Sequence, residues 1–502
     1  MSAHVVIIGG GIAGIAAMDH LSMQAPPLRV TLLEARDRVG GHIRTVRQGG
    51  FLMESGPDVL FAAKPAALAF CHKLGIAHRV IETNPAAKGS LVLRRGRLVP
   101  VPDGMSGLVP ARIGPIAATS LLSARAKLRL ACEYLVPPRL SDSDESVKQF
   151  VVRRFGREMY DRLLEPLLSG IVAGDGGRLS IAALFPQLRE QERRHGGLLR
   201  AMLAARRAAA ATSAPAPGGP RGLVSLEGGL GELVEAFERA YAPGRVSTST
   251  RVIRRGARAE RIERAGAHNY RILLAGGETL HADAVIVAAP AFEAASLVRL
   301  MDTTLSTALD QIEYASTVTI SVAVPSRGMR ALPRGTGYTV PRAEGRSVMA
   351  CTFVSEKFAG RARPGHTLFR FFLGGAGRGD FVDRSDAELT GIVTGELREV
   401  LGVTASPELV RINRLPRALP QYAIGHLDLL ARLDARLESL PTLALAGAAY
   451  RGVGIPDCIR SGTSAADRVL DAMHAVAHQR GEETGWLPAI PTTNHAPGRV
   501  LT

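Results

Sequence analysis

Residues Val5 to Glu34 carry a pattern with few structural solutions. A short apolar run, VVII, leads into three glycines at G-x-G-x-x-G spacing, and a helical stretch leads to a second apolar run ending in an acid. Val5 to Ile8 is short enough for a buried strand. Gly9 permits a tight turn, Gly11 lets backbone approach a pyrophosphate, and Gly14 allows a helix to pack closely on the sheet. Gly10, Ile12 and Ala13 complete the turn, where free N–H groups and a partial positive charge face phosphates. Arg29 to Leu33 predicts a second parallel strand. Glu34 at its end, followed by Ala35, offers a carboxylate to a ribose diol. The unit predicts an α/β protein with a Rossmann-type dinucleotide-binding domain, and both NAD and FAD satisfy it. The competing reading is a glycine-rich strand–helix turn that binds nothing.

At 502 residues the chain is too long for one simple core, so two or three domains are expected. The start, MSAHVVIIGG, lacks a basic region and a cleavage site, and no stretch of about 20 uncharged apolar residues predicts a spanning helix. Cys71, Cys132, Cys351 and Cys458 are widely separated. They read as reduced thiols in a cytoplasmic protein, with no metal site. The net charge of +16 is nearly all arginine. Attraction to anionic lipid, steering of a polycarboxylate substrate and arginine-rich codon usage each account for it. Nucleic-acid binding fits poorly, because aromatic residues are sparse and no binding motif accompanies the charge.

The cofactor domain is expected to be discontinuous, over 1–80, 223–292 and 437–476. A substrate domain is expected at 81–105 and 293–436, where 91–101 alternates like a hairpin around Arg95-Gly96. Residues 106–205 read as a helical, arginine-rich insertion. Asp144-Glu145-Ser146 opens a helix there that continues through Phe155, and Glu165 to Asp175 is expected to break it. Residues 206–222 are low in complexity and read as a mobile loop, and 480–502 as a flexible tail. A strand at Thr442 to Ala446, a glycine turn and a helix from about 460 to 474 return the chain to the cofactor.

Arg38-Val39-Gly40-Gly41-His42-Ile43-Arg44-Thr45 resembles the R-x-G-G-x-x-x-[ST] extension of flavin amine oxidases, phytoene desaturases and protoporphyrinogen oxidases. The resemblance implies FAD in preference to NAD, with Gly41 giving backbone access and Arg44 meeting the pyrophosphate. Gly452-Val453-Gly454-Ile455-Pro456-Asp457-Cys458-Ile459 resembles the C-terminal flavin-contacting segment of the protoporphyrinogen and coproporphyrinogen III oxidases of haem synthesis. Gly56-Pro57-Asp58, the run Glu165 to Asp175, Phe372-Leu373-Gly374-Gly375 and Arg417 to His426 are similar to further segments of that family, in family order.

That resemblance implies FAD contacts at Gly9 to Gly14, Glu34, Ala35, Gly41 and Gly56, Pro57, Asp58 and Val59. It implies Val252 through its backbone, and Ala448, Val453, Gly454 and Ile455 near the flavin ring. It places the Gly170 carbonyl near the pyrrole N–H groups of the substrate and Phe372 beside the substrate. Lys88 stands two residues before the position where many relatives carry an arginine, and Val172 where relatives often have an aromatic. Both departures leave propionate recognition open.

The reaction implied is six-electron oxidation of a porphyrinogen, protoporphyrinogen IX or coproporphyrinogen III, with molecular oxygen as acceptor and hydrogen peroxide as product. No catalytic side chain is implied, since the flavin N5 accepts hydride. Peripheral membrane contact, a soluble enzyme and a homodimer are all compatible with the chain. An amine oxidase or a carotenoid desaturase is the alternative. An amine oxidase is expected to carry a lysine on a strand under the flavin, where this chain has Thr319. A non-enzymatic flavin- or nucleic-acid-binding protein is the remote reading. His42, His366 and His426 have no partner at catalytic spacing and read as packing or polar-contact residues.

Overall fold

A computed structural model describes residues 3–23, 28–87, 89–103, 105–106, 109–110, 113–211, 222–242 and 250–479. The two apolar runs of the opening unit form parallel strands, His4–Ile8 and Arg29–Glu34, with Val5 opposite Val30. Arg251–Arg255 adds beyond the second, and Ala284–Val287 and Leu443–Leu445 add beyond the first, giving a five-stranded parallel sheet. Parallel strands are covered on both faces, which is why Val5–Ile8 and Ala284–Val287 read as unbroken apolar runs.

Helices Ile12–Ser22 and Ile455–Gln479 cover one face of this sheet. They cross closely at Gly462, where a Cβ would fall 2.0 Å from the Ala13 carbonyl oxygen. The opposite face packs on helices Ala291–Val298, Thr303–Asp310 and His426–Glu438 and on a three-stranded antiparallel sheet. A second three-stranded sheet joins Leu60–Phe61, Leu223–Leu226 and Val80–Glu82. Residues 81 and 82 therefore pair with the cofactor side of the molecule, not with the substrate sheet where they were expected.

A seven-stranded sheet, where the substrate domain was expected, runs in the order Leu409–Pro420, Tyr314–Pro325, His366–Gly374, Val348–Phe353, Gly337–Thr339, Leu91–Arg94 and Arg97–Pro100. The last two form the hairpin expected around Arg95-Gly96. Val318, Ile320, Val322, Phe369 and Phe371 line one face and pack against Leu389, Val393 and Leu397 of helix Asp386–Leu401. The opposite face carries Thr319, Ser321, Arg370 and Phe372 and turns toward the cofactor domain.

The third unit is helical. Ser146 caps helix Val147–Phe155 by accepting from the Gln149 amide at 3.0 Å, and the Gln149 side chain accepts the Ser146 amide at 2.9 Å. Arg154 of that helix pairs with Glu133, and both are fully buried. Glu133 also accepts the backbone amides of Leu198 and Leu199, so the carboxylate joins three segments of the unit.

Three expectations are corrected here. Glu165 does not break the helical run, because Glu165–Val172 is itself a helix that follows a π-turn over Tyr160–Leu164. Pro166 lies in its first turn, where a missing N–H costs nothing, and left-handed Ala173 (φ 50°) ends it. The C-terminal helix starts at Ile455 rather than near 460, again with a proline in its first turn. Helix Leu198–Ala211 takes in residues 206–211, expected as loop. Residues 212–221 and the tail 480–502 lie outside the described residues.

Candidate active site

Gly9, Glu34, Ala288 and Ala446 all follow or end parallel strands at the same, carboxyl, edge of the sheet, where open α/β sheets bind ligands. A Cβ on Gly9 would fall 2.6 Å from the Ala288 carbonyl oxygen, and one on Gly14 would fall 1.9 Å from the Gly9 carbonyl oxygen. Gly11 differs, since a Cβ there would meet nothing within 4 Å. Two of the three glycines thus hold strand against helix, and the middle one keeps the approach to the helix start open. Ile12 opens that helix, and Ala13 is buried where Gly462 crosses it.

Glu34 is fixed at the rim. Its two carboxylate oxygens accept the Gly10 amide at 2.8 Å and the Arg36 amide at 2.9 Å. Each oxygen keeps a lone pair for a hydroxyl donor. Ala35 is exposed beside it, and Val252 lies on the neighbouring outer strand in register with Thr31.

The segment after Glu34 is tied back onto the glycine turn. The Gly40 amide donates to the Gly10 carbonyl at 2.7 Å, and left-handed Gly41 lies against Gly11. The Arg38 side chain donates to the carbonyls of Gly41 (2.6 Å), Val39 and Ile43. Arg38 is therefore the organising arginine of this loop, a role the sequence reading did not give it. The Arg44 side chain is exposed, and its carbonyl accepts the Ser55 amide. That bond brings in the Gly56-Pro57-Asp58-Val59 turn, where a Cβ on Gly56 would fall 2.0 Å from the His42 carbonyl oxygen.

The C-terminal loop closes the same edge. Tyr422 donates to the Ala448 carbonyl, accepts the Gly452 amide, and stacks on His426 with ring centroids 4.1 Å apart. His426 in turn bonds the Tyr450 carbonyl at 3.0 Å. The P-Q-Y-x-x-G-H stretch is thus a staple for the Ala448 to Gly452 backbone. Val453 packs on the helical unit, and Ile455 begins the final helix. Asp457, buried just inside that helix, pairs with Lys64 at 2.7 Å and Arg460 at 2.6 Å.

These residues fit FAD. The way in over Gly11 is open, Glu34 retains acceptor capacity, and the buried Ser55 hydroxyl beside the Gly56 turn has no protein partner.

Cross-strand register builds the floor next to this cradle. Asn413 faces Thr319, Thr319 faces Phe372, Phe372 faces Ala350, and Ala350 faces Thr339. Directly opposed residues share a face of the sheet, so these five form one row. At one end Thr319 donates to the Ser55 carbonyl at 3.2 Å. At the other, Thr339 lies 3.6 Å from where a Gly170 Cβ would stand. Phe372 and Gly170 are therefore brought to one surface that starts at the Ser55–Gly56 turn. Gly170 and Ile171 are exposed on their helix, whose opposite side is buried.

Gly170 is not a helix-ending glycine, since Ala173 holds that position. Val172 points away from the row into the helical core, and its carbonyl accepts the Gln421 side chain at 3.0 Å. Lys88 lies outside the described residues.

A cluster of charges lies under the turn. Lys357 and Asp58 pair at 2.8 Å, while buried Arg370 donates to the Gly56 carbonyl. Burial alone would raise the Asp58 pKa, but Lys357 and then Arg370 hold it below the ordinary carboxylate value. Burial pushes Glu54 up and Arg370 down. Arg370 is two residues before Phe372, so strand alternation puts both on one face. A separate groove of about 320 Å³ between helices His426–Glu438 and Ile455–Gln479 holds none of the residues assigned to cofactor or substrate.

Residues 12–470 match the family described as flavin containing amine oxidoreductase. A Bacillus subtilis (strain 168) protein named coproporphyrinogen III oxidase is 34% identical over 472 residues, covering 93% of this chain and 98% of that protein. A Nicotiana tabacum protein named protoporphyrinogen oxidase, chloroplastic, is 28% identical over 491 residues, covering 94% and 86%. A crystal structure from Exiguobacterium sp. 255-15 superposes with a TM-score of 0.80 at 31% identity, covering 95% of this chain and 99% of that one.

Proposed function

Because this chain belongs to the protoporphyrinogen and coproporphyrinogen III oxidases of the flavin containing amine oxidoreductase family, we propose that it oxidises coproporphyrinogen III to coproporphyrin III in haem biosynthesis. Six electrons and six protons leave the substrate in three equal steps, and three molecules of oxygen become three of hydrogen peroxide. Bound FAD supplies the two-electron acceptor of each step. The chain's own residues bind, orient and exclude water.

The observation that carries this reading is the row from Asn413 through Thr319, Phe372 and Ala350 to Thr339, running from the flavin-side turn to Gly170. A flat macrocycle needs a long floor with an apolar centre and close backbone approach at one end. Phe372 and Ala350 supply the floor and Gly170 the approach. Thr319 gives its hydroxyl to the Ser55 carbonyl, so the position where amine oxidases carry a lysine serves here to hold the turn. Preference for coproporphyrinogen III over protoporphyrinogen IX rests on the higher identity to the relative named for it.

The test is aerobic turnover of purified holoenzyme on both porphyrinogens and a panel of amines, read by porphyrin fluorescence and peroxide release. Coproporphyrin fluorescence with about one peroxide per two electrons supports the reading. Peroxide from an amine with no porphyrin from either porphyrinogen sinks it.

Peripheral contact with an anionic bilayer is part of the same proposal. Leu128, Tyr134, Leu135 and Leu140 of the helical unit are exposed, with Arg125 exposed among them. Among the described residues no helix is long and apolar enough to cross a membrane, so the contact would be at the surface. Flotation with anionic but not neutral vesicles is expected, and its loss in a Leu128/Leu135/Leu140→Ser variant. Equal flotation of that variant would refute it.

A further inference from the structure

Arg370 has the environment of a charge placed for a purpose. Its side chain is 2% exposed, it donates to the carbonyls of Gly56 and Ser55, and its Nε has no partner. The Phe372 ring lies 4.8 Å from the guanidinium carbon and covers it on the substrate side. Lys357, also buried, reaches the same turn through Asp58. Arg361, 2% exposed, completes the group by holding the Leu226 and Glu227 carbonyls.

The anions facing Arg370 are Asp58 and Glu54, and Arg361 faces these two and Glu232, with Arg47 beside it. With all three ionised, Arg370, Lys357 and Asp58 carry one net positive charge, and burial of Glu54 favours its neutral form, so less of that charge is offset. Leaving a guanidinium in such a site is costly unless something repays it. Two backbone carbonyls alone could be served by a neutral donor.

We propose that the Arg370–Asp58–Lys357 cluster sets the reduction potential of the bound flavin, with Arg370 as a positioning residue that fixes the Ser55–Gly56 carbonyls and holds a buried positive charge behind them. This rests on the assignment of the Gly56 to Val59 turn to FAD. A two-electron acceptor gains negative charge on reduction, and a cation screened by protein instead of water favours that state. The cluster therefore eases removal of each electron pair from the porphyrinogen while leaving substrate binding unchanged.

The test is the midpoint potential of bound FAD, measured by dye equilibration in wild-type, Arg370→Lys, Arg370→Met and Lys357→Gln holoenzymes. Arg370→Met and Lys357→Gln are expected to shift the midpoint to more negative values, and Arg370→Lys to leave it near wild type. Anaerobic reduction of the flavin by substrate is expected to slow about ten-fold in Arg370→Met, with KM held. A midpoint unmoved in both charge-removing variants overturns the inference. If Arg370→Met does not form holoenzyme, Lys357→Gln decides alone, since it leaves the carbonyl ties of Arg370 in place. A wild-type protein that holds no flavin or turns over no porphyrinogen fails the functional reading instead, which keeps the two failures apart.

Discussion

The Tyr422 hydroxyl lies 2.6 Å from the Ala448 carbonyl oxygen and donates to it. The Tyr422 hydroxyl oxygen in turn accepts the Gly452 amide at 2.7 Å, so one side chain spans the loop that closes the carboxyl edge of the parallel sheet. Tyr422→Phe keeps the stacked ring over His426 and removes only this bridge. Two backbone groups lose their partner, at a cost of about 1–3 kcal/mol. A lower melting temperature and weaker FAD binding are expected, read by thermal denaturation and by titration of apoprotein with FAD. Unchanged FAD affinity would show that the loop is held by other means.

The glycines of the opening turn separate structure from binding. Gly14→Ala puts a methyl 1.9 Å from the Gly9 carbonyl oxygen, backbone against backbone, and the strand–helix contact must open. Little folded protein is expected. Gly11→Ala meets nothing within 4 Å and has an ordinary φ of −70°, so its melting temperature in the apo form should stay near wild type. Its FAD affinity should drop about ten-fold or more, because the methyl stands where a pyrophosphate must approach backbone. Equal FAD affinity in Gly11→Ala and wild type would remove the turn from the cofactor site.

Gly170→Ala tests the substrate end. The added methyl would lie 3.6 Å from the Thr339 methyl, an ordinary contact, inside a helix where alanine is favoured over glycine by up to about 1 kcal/mol. Stability should hold or rise. Turnover should fall by up to about 100-fold if the macrocycle is displaced by an ångström, and the flavin spectrum should not change. Wild-type turnover in this variant would take Gly170 out of the substrate site.

The cofactor half of this molecule was legible because its constraints are local. Three glycines, a strand on each side and Glu34 are read from one stretch of 30 residues, and the structure realises them with Gly10 bonded to Glu34. The turn at Gly56 and the loop at Ala448 to Ile455 were found by resemblance, and the structure brings both to the same sheet edge. Roles that depend on distant partners were not legible. Arg38 opened a motif but had no role of its own until its three carbonyl acceptors were placed. The link between Phe372 and Gly170 runs through the register of three strands, which no periodicity specifies. Arg370 was overlooked although its place two residues before Phe372 gave the signal, a charge on the inward face of an apolar strand. The helix Glu165–Val172 was misread as a break, whereas the proline in its first turn is compatible with a helix start.

His426 supplies the last prediction, on pH. Its imidazole is buried against Tyr422, and its pKa lies below the ordinary 6.5. Burial is the chief cause, the Tyr450 carbonyl opposes it, and Arg451 adds to the fall. The unfolded chain thus takes up the proton at a higher pH than the folded one. The stability involved is fully present above about pH 6.5 and is lost as pH falls from there toward the folded value. His426→Phe keeps a ring on Tyr422 and cannot titrate, although it gives up the bond to Tyr450. It should melt lower than wild type at pH 7.5, and the gap should narrow by pH 5.5 because only the wild type pays for protonating this ring. His4 and His474 also have lowered pKa values and titrate alike in both proteins, so they cancel in the comparison. Melting curves that run parallel between the two pH values would show that acid does not loosen the staple through His426.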